Sequence, residues 1–121
     1  MIKKYKILQN KLEGSIYTIF TAFSKNSKID YKSIEKYIDF LYQKKARVFY
    51  VMPYNSRYSQ LREKEIFELN KFCIQKVKSL NNTIIIVSDS IHGPTDLKKE
   101  YCYDAKKFGA DIFSSICREK Y

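Results

Sequence analysis

Glycine and proline are scarce in this chain, and the features that mark several whole classes of protein are missing. Only 3 of the 121 residues are glycine and 2 are proline, while 45% are hydrophobic. These values exclude collagen-like, low-complexity and disordered proteins. No apolar run approaches the roughly 18 residues of a membrane-spanning helix, and no apolar segment follows the basic start as in a secretory signal. We therefore expect a cytoplasmic globular protein.

Cysteine and histidine are too few and too scattered for metal or thiol chemistry. The three cysteines, Cys73, Cys102 and Cys117, form no C-x-x-C pair, so neither a zinc site nor a disulfide framework is indicated. Cys73 and Cys117 fall in apolar patterns, which favours their packing as small hydrophobic residues. A catalytic thiol would need a neighbouring base, and the only histidine is His92. These residues therefore predict no metal site.

The chain has an excess of positive charge, but arginine contributes little of it. The formal net charge is +10, yet only Arg47, Arg57, Arg62 and Arg118 carry the guanidinium that nucleic-acid-binding proteins favour. The lysines are spread along the chain without a block of five. We interpret them as a solvated surface, with a basic nucleic-acid-binding module as the alternative.

Four short apolar segments have the composition of β-strands. They are rich in β-branched and aromatic residues and are bounded by polar turns. The second is a continuous apolar run, which is typical of a parallel strand buried on both faces, and the third is apolar after its opening threonine and is predicted to be buried as well. The predicted strands are residues 15–20, 48–52, 83–87 and 111–117.

Between these strands, apolar residues recur at helical spacing in three segments. Asp30 stands where the N-cap of the first helix is expected. The second helix begins with Glu63 and Glu65, which suit the positive end of the helix dipole. Thr95 is predicted to cap the third helix, and Gly109 to end it in the left-handed conformation that favours glycine.

The resulting order β-α-β-α-β-α-β predicts right-handed crossovers and a parallel sheet. The strands recur about every 32 residues, which is a normal length for a βα unit. The chain therefore holds about half of a (β/α)8 barrel, which needs roughly 250 residues. The alternative is a small doubly wound sheet with a flavodoxin-like binding or regulatory function. We predict an N-terminal extension at 1–13, and strands one to four with helices one to three at 14–121.

The segment Gly14-Ser-Ile-Tyr-Thr-Ile-Phe-Thr-Ala-Phe23 resembles the first strand of the dihydrodipicolinate synthase / N-acetylneuraminate lyase family. In that family Thr-Pro-Phe follows the strand. Thr21 and Phe23 match this pattern, while Ala22 replaces the proline. The resemblance extends over residues 14–121, through 34–41, Thr95 and 105–111.

This resemblance implies a (β/α)8 barrel that performs class I aldolase chemistry on pyruvate or a related 2-keto acid. In the family, a strand-six lysine forms a Schiff base, a strand-five tyrosine moves protons, and a Gly-Thr-Thr-Gly-Glu type of loop after strand two binds the carboxylate. Family members need no metal or organic cofactor and are usually tetramers.

The loop after the second strand departs from the family pattern. Tyr54 and Asn55 stand at the two threonine positions of that motif. Ser56 stands at its second glycine and Arg57 at its glutamate. Tyrosine and asparagine side chains can still donate to a carboxylate, and arginine can pair with it through two hydrogen bonds. Tyr54, Asn55 and Arg57 are therefore candidate substrate-binding residues. The alternative is a loop that has lost the site and only packs.

The family positions for the strand-five tyrosine and the strand-six lysine fall beyond Tyr121. No lysine of this chain is nominated for a Schiff base, while Tyr121 is a candidate for the family's relay tyrosine. In the loop after strand three, His92 and Asp89 are candidate acid or base groups. We expect a truncated or split barrel that is inactive alone and either self-associates or binds a missing C-terminal half.

Overall fold

In a computed structural model of the chain, strands and helices alternate as the sequence predicts, after one additional helix at the start. The structure describes residues 2–53, 56, 58–89 and 94–115. A short 3-10 helix at Tyr58–Gln60 precedes the third α-helix. The elements in chain order are α1 Ile2–Lys11, β1 Ile16–Thr18, α2 Tyr31–Gln43, β2 Val48–Val51, α3 Glu63–Lys78, β3 Ile84–Ser88, α4 Thr95–Phe108 and β4 Ile112–Ser114.

The four strands form one parallel sheet in which each strand pairs with the next one along the chain. Because parallel crossovers are right-handed, this unreversed order places α2, α3 and α4 on the same face of the sheet. A doubly wound sheet instead reverses its strand order and carries helices on both faces. The sheet therefore has the architecture of the first half of a (β/α)8 barrel, and the predicted fold class is confirmed.

The face that carries the helices, here called the outer face, holds the main hydrophobic core. Side chains alternate along a strand, and Phe49, Val51, Ile85 and Val87 reach this core with at most 1% of their surface exposed. Burial on both faces explains the continuous apolar runs of β2 and of β3 up to Val87. The buried helix residues that complete the core are Ile34, Ile38, Leu41, Ile66, Leu69, Cys73, Ile74, Val77 and Ala105.

The opposite face, here called the inner face, holds a smaller apolar cluster. Val48 and Ile84 are each 2% exposed, and Ile86 is 8% exposed. Leu8 of α1 packs against this cluster, so the first helix lies on the inner face. The sequence analysis described residues 1–13 only as an N-terminal extension and assigned no helix there, so α1 was missed. The boundary between an extension and a barrel near residue 13 stays a prediction.

Two of the predicted helix ends are confirmed. The carboxylate of Asp30 accepts hydrogen bonds from the backbone N–H of Ser33 at 3.1 Å and from its hydroxyl at 2.8 Å. These bonds favour the ionised form and therefore lower the pKa of Asp30. The bond from the Ser33 hydroxyl makes the largest contribution. Gly109 follows α4 with φ +105°, the left-handed conformation that glycine adopts without a steric penalty.

The prediction that Thr95 caps α4 is wrong. Pro94 occupies the N-cap, with extended backbone angles and no side-chain cap, and Thr95 is the first helical residue. The carbonyl of Pro94 accepts from the N–H groups of Leu97 and Lys98 at 3.1 and 3.4 Å. The helix therefore begins one residue earlier than the threonine signal indicates, at a position where proline costs no hydrogen bond.

The two edge strands, β1 and β4, are shorter than predicted. β1 covers only residues 16–18 of the predicted 15–20, although the N–H of Ile19 still donates to the Tyr50 carbonyl at 2.9 Å. Asp111 precedes β4, and its Oδ2 accepts from the N–H of Ile85 and the ammonium of Lys78, both at 2.9 Å. This aspartate therefore joins β3 to α3 at the amino edge of the sheet, away from the candidate site.

Candidate functional site

The carboxyl ends of the four parallel strands meet at one edge of the sheet. In barrel enzymes, the loops at this edge build the active site, whereas residues at the other edge contribute stability. The first connection contains Thr21, one of the two residues that match the family pattern. Its hydroxyl oxygen is buried and has no hydrogen-bond partner within the described part of the chain.

The second connection begins with a strained residue. Met52 is fully buried and has φ +59°, in the left-handed region where a side chain costs about 1–2 kcal/mol. Such strain persists where the surrounding structure imposes it, often beside a functional site. Here it turns the chain sharply out of β2, at a residue that the sequence assigned to the strand.

Ser56 is the described residue of the predicted substrate loop. Its side chain is 1% exposed, its N–H donates to the Pro53 carbonyl at 2.9 Å, and its hydroxyl donates to the sulfur of Met52 at 3.9 Å. The serine at the family's glycine position therefore anchors the loop against the end of β2. Tyr54, Asn55 and Arg57 lie outside the described residues, and their role stays a prediction.

The third and fourth strands bring a charged cluster to the same edge. Asp89 directly follows β3, and its side chain is 6% exposed. Its N–H donates to the Ser114 carbonyl at 2.9 Å. Its Oδ2 accepts a short hydrogen bond from the hydroxyl of Ser115 and lies 3.3 Å from the ammonium of Lys98. The cluster of Asp89, Lys98 and Ser115 therefore ties the ends of β3 and β4 to the first turn of α4.

The sequence interpretation had nominated Asp89 but missed both of its partners. Lys98 lies in a helix, where one lysine among many carries no distinguishing signal. Its side chain reaches the strand end because helical side chains point toward the helix N-terminus. His92, the other candidate of this loop, lies outside the described residues, as do Tyr121 and Cys117.

The described lysines offer no group of the kind that forms a Schiff base. Such an amine must lose its proton readily, and none of the four strands contains a lysine. The hydrogen bond that the ammonium of Lys76 donates to Asp39, with a further contribution from Glu35, raises the pKa of Lys76 and keeps it protonated. Lys98 forms an ion pair with Asp89, and Lys78 forms one with Asp111.

Cys73 offers no reactive thiol, and the described residues offer no cluster of metal ligands. Burial raises the pKa of Cys73 to about 12, so the thiolate that reacts as a nucleophile is not populated at neutral pH. Among the residues that the structure describes, no three histidine, cysteine or carboxylate groups are clustered as metal ligands. In the same residues, no helix is long and apolar enough to cross a membrane.

Neither a protein-family model nor a curated protein matches this chain, but solved structures match its fold. A Pseudomonas aeruginosa protein assigned to the dihydrodipicolinate synthetases superposes with a TM-score of 0.79 at 19% identity, over 91% of this chain and 38% of its own. Dihydrodipicolinate synthase from Aquifex aeolicus gives 0.73 at 19% identity, over 86% and 34%.

A third match is the Escherichia coli K12 prophage protein YagE, of the dihydrodipicolinic acid synthase family, in complex with pyruvate. Its TM-score is 0.71 at 19% identity, over 91% of this chain and 37% of its own. The chain thus spans little more than a third of the length of these proteins. Together with the unreversed order of four parallel strands, these matches show that the chain has the fold of the N-terminal part of a dihydrodipicolinate synthase-type barrel.

Proposed function

We propose that this chain is the N-terminal half of a cytoplasmic (β/α)8 lyase or aldolase that acts on pyruvate or a related 2-keto acid through a Schiff base. The observation that carries this proposal is the sheet order, with all three crossover helices on one face. The same fold occurs in dihydrodipicolinate synthases and in a relative that holds pyruvate. The resemblance of residues 14–121 to that family supports the same conclusion from the sequence.

In this proposal, the carboxyl edge of the sheet binds the carboxylate of the keto acid. Tyr54, Asn55 and Arg57 supply the donors, and the buried Ser56 fixes the loop that carries them. These neutral and cationic donors suit a small carboxylate.

The residues present here hold the ligand but do not perform the covalent step. The Schiff base needs an amine on a strand that faces the keto acid, and β1 to β4 contain none. The strand-five tyrosine of the family is likewise outside the chain, and Tyr121 would supply only the relay tyrosine. We therefore infer that the 121 residues alone bind weakly and are catalytically inactive.

Borohydride trapping tests the inactivity. The chain is mixed with pyruvate and sodium borohydride, and its intact mass is measured beside a Schiff-base-forming family enzyme as a positive control. We expect the control to gain the mass of a reduced pyruvate adduct and this chain to gain none. A stoichiometric adduct at a single lysine would overturn the inference that this chain binds the keto acid without forming the Schiff base.

The binding half of the proposal has its own readout. Pyruvate titrated into the isotope-labelled chain is expected to shift the backbone amide resonances of residues 54–57. Arg57→Met should remove these shifts, because it deletes the charge that pairs with the carboxylate. Arg62→Met is the matched control, since it removes a similar charge at the exposed start of α3. Shifts that persist unchanged in Arg57→Met would contradict the assigned site.

A further inference from the structure

Among the apolar residues that the structure describes, one from outside the sheet covers its inner face. Val48 and Ile84, which open β2 and β3, are 2% exposed. Among the apolar residues of the described chain, Leu8 is the one outside the strands that packs against their cluster. The helix α1 therefore covers the amino end of the face that the remaining strands of a barrel would enclose.

The helix α1 makes few contacts with the inner face. The helix α1 contains no buried residue, and Leu8 is its one partly buried position. Its other large apolar side chains face solvent: Ile2, Tyr5 and Ile7 are 75%, 62% and 51% exposed. A helix attached through one leucine can leave the sheet without disturbing the main core, which lies on the outer face.

Without α1, the inner face and both sheet edges fit a second copy of the chain. β1 and β4 are the edges of the described sheet and present backbone groups that a further parallel strand can pair with. A two-fold axis along the barrel would place β4 of one copy beside β1 of the other. All strands then remain parallel, all helices remain outside, and the eight strands of a barrel are complete.

The chemistry of the inner face allows this contact. None of the four strands contains a charged residue, so two inner faces can meet without burying an unpaired charge. Ile16 lies on this face, because it pairs directly with Val48, and it is 53% exposed. Ile112 at the opposite edge is partly buried in the same cluster. The apolar surface thus continues to both edges.

We propose that the inner face is an interface for a second copy of this chain and that α1, while it lies on this face, blocks the interface. While Leu8 lies on the face, the chain is monomeric. When α1 is released, two copies close an eight-stranded barrel. The inference rests on the proposed half-barrel architecture, but it requires no ligand.

The test compares Leu8→Asp with Ile7→Asp, which places the same charge on the neighbouring, already exposed position. Sedimentation velocity at physiological salt, which screens the net positive charge, measures the mass of each variant. We expect Leu8→Asp to shift the monomer–dimer equilibrium toward dimer by about tenfold, while Ile7→Asp and the unchanged chain remain monomeric. Equal masses for the two variants would overturn the proposal.

A second pair of variants excludes unspecific association. Ile16→Asp added to Leu8→Asp puts a charge at the edge of the inner face, so the double variant should return to monomer. A double variant that remains dimeric, or open-ended oligomers in place of a dimer, would also overturn the proposal. If circular dichroism shows that Leu8→Asp has unfolded, Leu8→Ala and Ile7→Ala repeat the comparison. No keto acid is present, so this outcome is independent of the trapping and titration experiments.

Discussion

Replacing Lys98 with methionine is expected to lower the free energy of unfolding by about 2–4 kcal/mol. The side chain of Asp89 is 6% exposed, and the ammonium of Lys98 lies 3.3 Å from its Oδ2. Methionine keeps most of the apolar stem of lysine but removes the charge, so a buried carboxylate is left with the hydroxyl of Ser115 as its described donor. Urea unfolding at neutral pH measures the loss.

Two further variants make this prediction specific to the ion pair. Lys99→Met changes the exposed neighbour on the same helix and should stay within about 0.5 kcal/mol of the unchanged chain. Asp89→Asn added to Lys98→Met removes the unpaired charge and should restore most of the lost stability. A Lys98→Met variant as stable as Lys99→Met, or a double variant without recovery, would show that the ion pair does not hold the carboxyl edge together.

Met52→Ala is expected to cost about 2–4 kcal/mol, and Met52→Gly is expected to be about 1 kcal/mol more stable than Met52→Ala. The loss in both variants comes from deleting a fully buried side chain. The order arises because φ is +59°, a conformation in which alanine keeps the steric penalty and glycine loses it.

The neighbouring strand residue provides the control for that order. Val51 is also buried, and it lies in β2 without a positive φ, so Val51→Gly should be about 1 kcal/mol less stable than Val51→Ala. Urea unfolding of all four variants gives both differences. If glycine is the weaker residue at both positions, the backbone at Met52 is not strained, and the sharp turn out of β2 needs another explanation.

Much of the fold was predictable because burial leaves a direct trace in the sequence. β2 and β3 are buried on both faces, and their sequences form continuous apolar runs, in β3 up to Val87. Asp30 and Gly109 end their helices through local chemistry that needs no distant partner. The regular return of the strands favoured a barrel, but the choice between a barrel and a doubly wound sheet depended on strand order, which hydrophobic patterns do not encode.

Two of the features that sequence reasoning missed depend on distant contacts. Lys98 became part of the site because the fold brings α4 beside the end of β3. The left-handed turn at Met52 is imposed by its surroundings, because methionine itself disfavours it. The first helix has only one partly buried residue, so residues 1–13 carry little of the apolar periodicity from which helices are predicted.

Hydrogen exchange along the four strands tests the order of the sheet, on which the half-barrel depends. In the order β1-β2-β3-β4, β2 and β3 are central and β1 is an edge, where alternate N–H groups point away from the neighbouring strand. The account predicts that amides of residues 48–51 and 84–88 exchange slowest and that those of 16–18 exchange much faster. A doubly wound sheet places β1 in the centre and β2 at an edge. Slow exchange in 16–18 together with fast exchange in 48–51 would therefore contradict the half-barrel.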